Sequence, residues 1–362
     1  MYRTAQLSRI GQSIWLDNVT RDLLTSGTLE RYIADLGVTG LTSNPSIYNK
    51  AIGGTAAYDE PIERLRAAGA DGGTTFFELA LDDLGPAADM FAPIHRRTGG
   101  VDGFVSLEVS PLLAHDAEAT LREARRLHAK GGRPNLFIKI PGTKAGLRAI
   151  EESVFAGVPV NVTLLFSAGQ YLAAAEAYTR AIERRVEAGL DPYVGSVASV
   201  FVSRWDAGLP ADLPADLHMK LGAATARKTF EAYRALIESD RWQRLLNEGA
   251  RPQRLLWAST GTKDPNASDV YYIEALVAPF TVNTMPEETL LAFADHGTVR
   301  GTLGAGPDPD NDALLARFEA AGVDLADFAR RLQEGGVESF VRAWWALLGL
   351  IDQKAAAVSK SR

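Results

Sequence analysis

Short apolar blocks with alternating character recur along the chain, separated by longer stretches with helical spacing. Residues 1–11 read as a leading helix. Residues 13–18 (SIWLDN) form a first strand, with Trp15 and Asp17 on one face. A helical stretch near 22–36 leads to a second strand, 38–44 (VTGLTSN), where Gly40, Thr42 and Asn44 share a face and Pro45 ends the run. Residues 45–103 are too long for one crossover helix. They carry helical patterns at 55–68 and 74–97, interrupted by Pro86 and Pro93, and read as an inserted helical element. The third strand is 103–109, with Ser106 and Glu108 on one face, and its helix (115–130) stops at Gly131 and Gly132. The fourth strand, 135–140, is NLFIKI. The fifth is 158–166, with Asn161 and Thr163 sharing a face, followed by an S-x-x-Q capping box at Ser167 and Gln170. The sixth runs 194–202, with Ser199 and Phe201 on one face and Arg204 just beyond. A long helix spans 213–239. The seventh strand is 254–260, followed by a helix near 268–278. The eighth is 279–284, with a helix at 286–294. Residues 310–357 read as two or three extra helices carrying Trp344 and Trp345, which we assign to packing.

Eight strand–helix alternations imply a parallel sheet with right-handed crossovers, closing into a (β/α)₈ TIM-type barrel. The expected architecture is one domain over 1–362. It has additional helices between strands 2 and 3 and at the C-terminus, where residues 310–362 pack on the barrel. A doubly wound open sheet is the alternative. Against it, SIWLDNVTRDLL has no glycine where a dinucleotide fold needs a tight first turn.

Composition narrows the classes. A net charge of −7 argues against a nucleic-acid partner. The absence of cysteine removes disulfides, thiolate nucleophiles and Cys-based metal sites. His95, His115, His128, His218 and His296 lack metal-ligand spacing and read as surface residues. No apolar run reaches about 18 residues and the N-terminus lacks an apolar signal core, so a cytoplasmic protein without a membrane partner is expected.

The fourth strand carries the most specific chemistry. Leu136, Ile138 and Ile140 share one face, Phe137 and Lys139 the other. The chain holds nine lysines against twenty-nine arginines, so a lysine inside an apolar strand points to a need for an amine. Desolvation frees its lone pair for attack on a carbonyl. On this strand alone, a Schiff-base amine and a lysine paired with a buried carboxylate or set at a sheet edge are equally compatible. Strand after strand, however, ends in a polar residue: Asp17, Asn44, Glu108, Lys139, Asn161, Thr163, Ser199 and Ser259. Barrel interiors favour Val, Ile and Leu, and barrel chemistry sits at the strands' C-terminal ends. Each residue taken singly also has a plainer reading. Asp17 suits a helix cap, Asn44 a turn, Glu108 a structural ion pair, and Asn161 and Thr163 suit bonds to backbone groups.

GLTSNPSIY (40–48) resembles the T-[ST]-N-P-[ST] signature of transaldolases, and LFIKIPGTKAGLRA (136–149) resembles that family's active-site lysine signature. WLDN, SLEV, NVTLLFS, SVFVSR and WAST look like the family's other strand ends, in order, over residues 13–285. The chain is similar to the longer members. The resemblance implies an enzyme of the pentose phosphate pathway that moves a dihydroxyacetone unit between phosphorylated sugars, with no cofactor or metal. Lys139 would form the Schiff base and Asp17 would take the C4 hydroxyl proton. Glu108 with Thr163 would serve carbinolamine dehydration. Asn44, Asn161 and Ser199 would hold the sugar hydroxyls, and Arg204, Ser259 and Lys263 the phosphate. Shorter members carry an arginine soon after the seventh-strand serine; here Lys263 stands in that region. Rival readings are an aldolase of the same lineage, an isomerase or epimerase using Asp17 and Glu108, and a non-catalytic sugar-phosphate-binding barrel. A monomer and a homodimer are both open.

Overall fold

The computed structural model describes residues 2–210, 212–304 and 306–360. Eight strands, β1 (Ser13–Leu16), β2 (Val38–Leu41), β3 (Val105–Glu108), β4 (Leu136–Pro141), β5 (Val160–Leu165), β6 (Ser196–Phe201), β7 (Arg254–Ala258) and β8 (Val282–Met285), form a closed parallel barrel in chain order. β1 pairs with both β2 and β8, which rules out the open sheet. Apart from β4, each strand is shorter than the run read from the sequence. The residues beyond the ladder form the mouth, which is where Asp17, Thr42, Asn44 and Ser259 lie.

Alternation sorts side chains into two cores. Leu136, Ile138 and Ile140 belong to the outer layer under the helices. Phe137, Trp15, Val197, Leu256 and Val282 fill the barrel interior. Phe137 stacks on Phe104 with ring centroids 3.9 Å apart, and Trp15 lies against it. A Cβ on Gly40 would meet the Trp15 indole at 2.5 Å, so only glycine lets β2 pass this ring. At the start of the helix Lys144–Phe155 a Cβ on Gly146 would lie 1.9 Å from the Pro141 carbonyl oxygen. That glycine lets the helix begin hard against the end of the lysine strand.

The inserted element between β2 and β3 comprises helices Pro45–Gly53, Asp59–Ala67 and Gly72–Arg97. The last is continuous, contrary to the interruptions expected at Pro86 and Pro93. Each proline removes one helical hydrogen bond. Burial of Phe76, Leu79, Ala80, Leu84, Ala87, Phe91 and Ile94 along the same helix outweighs that loss. The stretch near 22–36 instead splits into Arg21–Thr25 and Thr28–Asp35 at Gly27, which has φ 76°. The helix expected over 213–239 starts only at Leu221, where Asp206 accepts the Leu221 and Gly222 amides; Ala215–Leu217 is a separate 3₁₀ turn.

The tail forms two helices, Pro309–Ala320 and Leu325–Lys360; residues 361–362 of the expected tail lie outside the described residues. The second crosses the mouth of the barrel. Its Gln333 Nε2 donates to the carbonyls of Gly142 (3.1 Å) and Leu164 (2.9 Å), and Phe328 meets Trp205 edge to face. Trp344 packs against Phe76 and Phe77 of the inserted element. Trp345 is exposed, so only one of the two tryptophans has the packing role expected for both.

Candidate active site

Glu108, Lys139 and Asn161 stand side by side across β3, β4 and β5. Lys139 is buried. Its Nζ donates to the Ser43 carbonyl at 3.0 Å and lies 3.5 Å from Glu108 Oε2. Burial pushes the Glu108 carboxyl up to about 7 despite the attraction of Lys139, and the negative charge of Asp17 adds to the rise. Beyond the Lys139 contact, Glu108 Oε2 has no hydrogen-bond partner among the described residues. Burial likewise raises the Asp17 carboxyl, opposed by Lys139 and by a hydrogen bond from Thr42 Oγ1 at 2.6 Å.

The ladder shifts register between Val162 and Leu165, and Leu164 takes a left-handed φ of 58°. This bulge falls next to Thr163, whose Oγ1 is buried without a partner. Ser259, just past β7, has φ 55°, and its hydroxyl lies 2.9 Å from that of Ser203. Non-glycine residues rarely occupy this region, and such strain clusters at working sites.

A cavity of about 220 Å³ opens at this end of the barrel. Asp17, Asn44, Lys139, Thr163, Ser199, Arg204, Ser259 and Lys263 line it. Glu108 reaches the group through Lys139. Asn161 does not line the cavity: its Nδ2 donates to Ser106 Oγ and its Oδ1 accepts from Ser199 Oγ. Asn44 caps the helix Pro45–Gly53 by accepting the Ser46 and Ile47 amides on Oδ1. Its amide nitrogen is therefore the side-chain group left to meet a ligand.

Two cations share the cavity. Burial lowers the pKa of both Arg204 and Lys263, and Arg204 lowers Lys263 further. Neither forms an ion pair with a carboxylate among the described residues. Arg204 lies over the rings of Phe201 (4.9 Å) and Phe340 (5.8 Å). Arg204, Lys263 and the Ser259 hydroxyl thus line one cavity, and two cations with a hydroxyl are the kind of donors an anion draws on.

Thr42, Thr284 and Phe340 also line the cavity and were not singled out from the sequence. Both threonines carry a legible signal, a polar side chain at an inward strand end. Phe340 comes from the tail helix and has none beyond apolar spacing. Among the described residues no three His, Asp or Glu side chains converge as metal ligands. His95 and His128 are half-buried, not on the surface as expected. Burial lowers the pKa of His128, and His95 meets Phe104 edge to face. No helix among the described residues is long and apolar enough to cross a membrane.

Residues 14–351 match the family described as Transaldolase/Fructose-6-phosphate aldolase. The transaldolase of Frankia alni is 44% identical over 358 residues, 97% of this chain and 96% of that protein. The transaldolase of Renibacterium salmoninarum is 43% identical over 353 residues (95% and 94%), and that of Parafrankia sp. 42% over 363 (98% and 98%).

Proposed function

The chain belongs to the transaldolase/fructose-6-phosphate aldolase family, and from that premise we propose that it is a transaldolase working through a Schiff base on Lys139. The donor is sedoheptulose 7-phosphate or fructose 6-phosphate, and the acceptor glyceraldehyde 3-phosphate or erythrose 4-phosphate. The observation that carries this reading is the buried Lys139 amine, held between the Ser43 carbonyl and Glu108, in the cavity that also holds the unneutralised Arg204 and Lys263.

Lys139 Nζ adds to the C2 carbonyl of the ketose phosphate, and loss of water gives an iminium. A carboxyl with a pKa near 7 carries both protonation states at neutral pH, so Glu108 serves that dehydration and the later hydrolysis as acid and base. The Thr163 hydroxyl, which lines the cavity and makes no hydrogen bond among the described residues, orients the leaving oxygen. Asp17 then takes the C4 hydroxyl proton. The O–H electrons become the carbonyl of the departing aldose phosphate, and the C3–C4 pair moves to the iminium nitrogen as an enamine. The enamine attacks the acceptor aldehyde, whose oxygen receives the proton back from Asp17. Arg204, Lys263 and Ser259 hold the phosphate; the Asn44 amide nitrogen and the Ser199 hydroxyl meet the donor's hydroxyls. Asn161 supports Ser199 from below rather than meeting the sugar.

We favour transfer over simple aldol cleavage because Glu108 is a titratable carboxyl, where the family resemblance implies an uncharged glutamine in the aldolase members. Borohydride reduction with fructose 6-phosphate should leave an adduct on Lys139, and Lys139→Arg should lose both adduct and turnover. Free dihydroxyacetone should form only slowly without erythrose 4-phosphate. Rapid acceptor-independent release would make the protein an aldolase, and an adduct on Lys144 or Lys263 would overturn the assignment of Lys139.

A further inference from the structure

Two threonines unused in this mechanism continue from Asp17, one bonded to its carboxyl and the second to the first. Thr42, one residue past β2, donates to Asp17 Oδ1 at 2.6 Å, and the same hydroxyl oxygen lies 2.6 Å from Thr284 Oγ1 on β8. Both threonines are buried, at 2% and 3% exposure. Backbone bonds set the spacing: the Asp17 amide donates to the Met285 carbonyl (2.7 Å) and the Thr42 amide to the Leu16 carbonyl (2.8 Å). Three neighbouring strands thus bring one polar side chain each into a single hydrogen-bonded row.

A hydroxyl carries one hydrogen, which fixes the direction of the row. With Asp17 ionised, Thr42 gives its hydrogen to the carboxylate and accepts that of Thr284. With Asp17 protonated, the carboxyl donates to Thr42, whose hydrogen turns to Thr284; the Thr284 hydrogen is then released toward the cavity it lines. Both arrangements use the same heavy-atom positions. We propose that Thr42 and Thr284 are positioning residues that let Asp17 act in turn as base and acid by reversing a two-hydroxyl hydrogen-bond chain. The inference rests on the transaldolase reading, in which Asp17 must accept the C4 hydroxyl proton and return it to the acceptor's oxygen. The proton count is unchanged, because the hydroxyl hydrogens only reorient. No separate proton donor enters.

Other charges bear on Asp17. Lys139 on β4 stabilises its ionised form, and Glu108 on β3 interacts with it repulsively. Arg204, Lys263 and Glu288 line the same cavity from the segments after β6, β7 and β8. All of these stay in place when a threonine hydroxyl is removed, so the threonine contribution can be read separately.

The test is the pH profile of kcat/KM for Thr42→Val and Thr284→Val, with Thr42→Ser and Thr284→Ser as rescues. Thr42 stabilises the ionised carboxylate, so its loss should move the acid limb to higher pH by about one unit. Thr284→Val should move it less, in the same direction. The rate of C–C cleavage in a single turnover should fall about tenfold, with KM within about twofold of the wild type. Borohydride trapping on Lys139 should be unchanged, since that step does not use Asp17, and both serine variants should recover the wild-type limb. An unmoved limb in folded, trapping-competent Thr42→Val would overturn the proposal. So would a Thr284→Ser protein as impaired as Thr284→Val, because packing alone would then explain the site. If Thr42→Val does not fold, Thr284→Val decides by the same limb. Absence of a Lys139 adduct in the wild type would be a different failure, that of the Schiff-base reading, and would remove the proposal with it.

Discussion

Glu108→Gln separates a neutral acid from a permanent ion pair. Burial raises the Glu108 carboxyl from an ordinary 4.5 to about 7, and that value already contains the attraction of Lys139. In the unfolded chain the group ionises near 4.5; in the folded protein it holds its proton about 2.5 units longer. A raised carboxyl contributes its stability in full below the unfolded value and loses it as pH rises through the folded one. Between pH 4.5 and 7 the wild type therefore loses roughly 3 kcal/mol that glutamine, which does not titrate, keeps. Asp17 is raised in the same direction and is present in both proteins; its repulsion with Glu108, lost in the variant, is already part of the Glu108 shift.

The assay is urea unfolding of wild type and Glu108→Gln at pH 5 and pH 8. At pH 5 the folded wild type still holds Glu108 protonated, near-isosteric with glutamine, and only its ionisation in the unfolded chain separates the two proteins, by less than about 1 kcal/mol. At pH 8 the variant should be the more stable by about 3 kcal/mol. Turnover moves the other way: without a titrating group for dehydration, transfer should fall by about 10²-fold or more. The share of donor released as free dihydroxyacetone should rise. A variant less stable at pH 8 than the wild type would refute the reasoning. It would mean that Glu108 is ionised well below neutrality and that its contact with Lys139 is a net stabiliser, the loss of which strands a buried ammonium.

Arg204→Ala and Lys263→Ala should each lower kcat/KM for phosphorylated donors by roughly tenfold to a hundredfold while leaving activity on unphosphorylated fructose little changed; equal losses on both would indicate damage to the fold. Gln333→Leu removes both bonds from the tail helix to the Gly142 and Leu164 carbonyls, at about 1 kcal/mol each. It should also release the bulge beside Thr163. Denaturant unfolding should show a modest loss of stability, and kcat should fall severalfold with KM nearly constant. A wild-type kcat would mean that the bulge holds itself.

Some of this was legible because it depends on local chemistry. Ser167 and Gln170 form the capping box read from S-x-x-Q, since both partners lie within one helical turn. Asn44, read plainly as a turn before Pro45, is instead the cap of the helix Pro45–Gly53, and this role is compatible with a ligand contact because capping uses Oδ1 and leaves Nδ2. The prolines of Gly72–Arg97 misled because the packing that overrides them comes from distant segments. The role of the tail was not legible at all. Gln333 meets carbonyls 191 and 169 residues away, and a glutamine on a helix carries no sign of whether it faces water or a strand end.

The deeper limit concerns depth within the barrel. Alternation tells which face a residue takes, and it put Glu108, Lys139, Asn161 and Ser199 inside correctly. It does not tell which layer a side chain's end reaches. Lys139 and Asn161 are in register on adjacent strands. The lysine's four-carbon stem carries its amine up to the Ser43 carbonyl and into the cavity. The short asparagine ends at the level of its own backbone, between Ser106 and Ser199. The polar interior therefore has two storeys, and they do different work. The row Ser106–Asn161–Ser199 is tied by its own hydrogen bonds and fixes the floor, with Ser199 at the edge where the floor meets the cavity. Above it stand the groups left to meet a ligand: the Lys139 amine, the Glu108 and Thr163 oxygens that make no hydrogen bond among the described residues, and Arg204 and Lys263, which form no ion pair there. Substituting Ser106 or Asn161 should disturb reactivity through geometry, as a loss in kcat with the pH limbs in place. Substituting the upper storey should move the limbs or the affinity for phosphate. Side-chain length, added to strand register, is what assigns each residue to its storey.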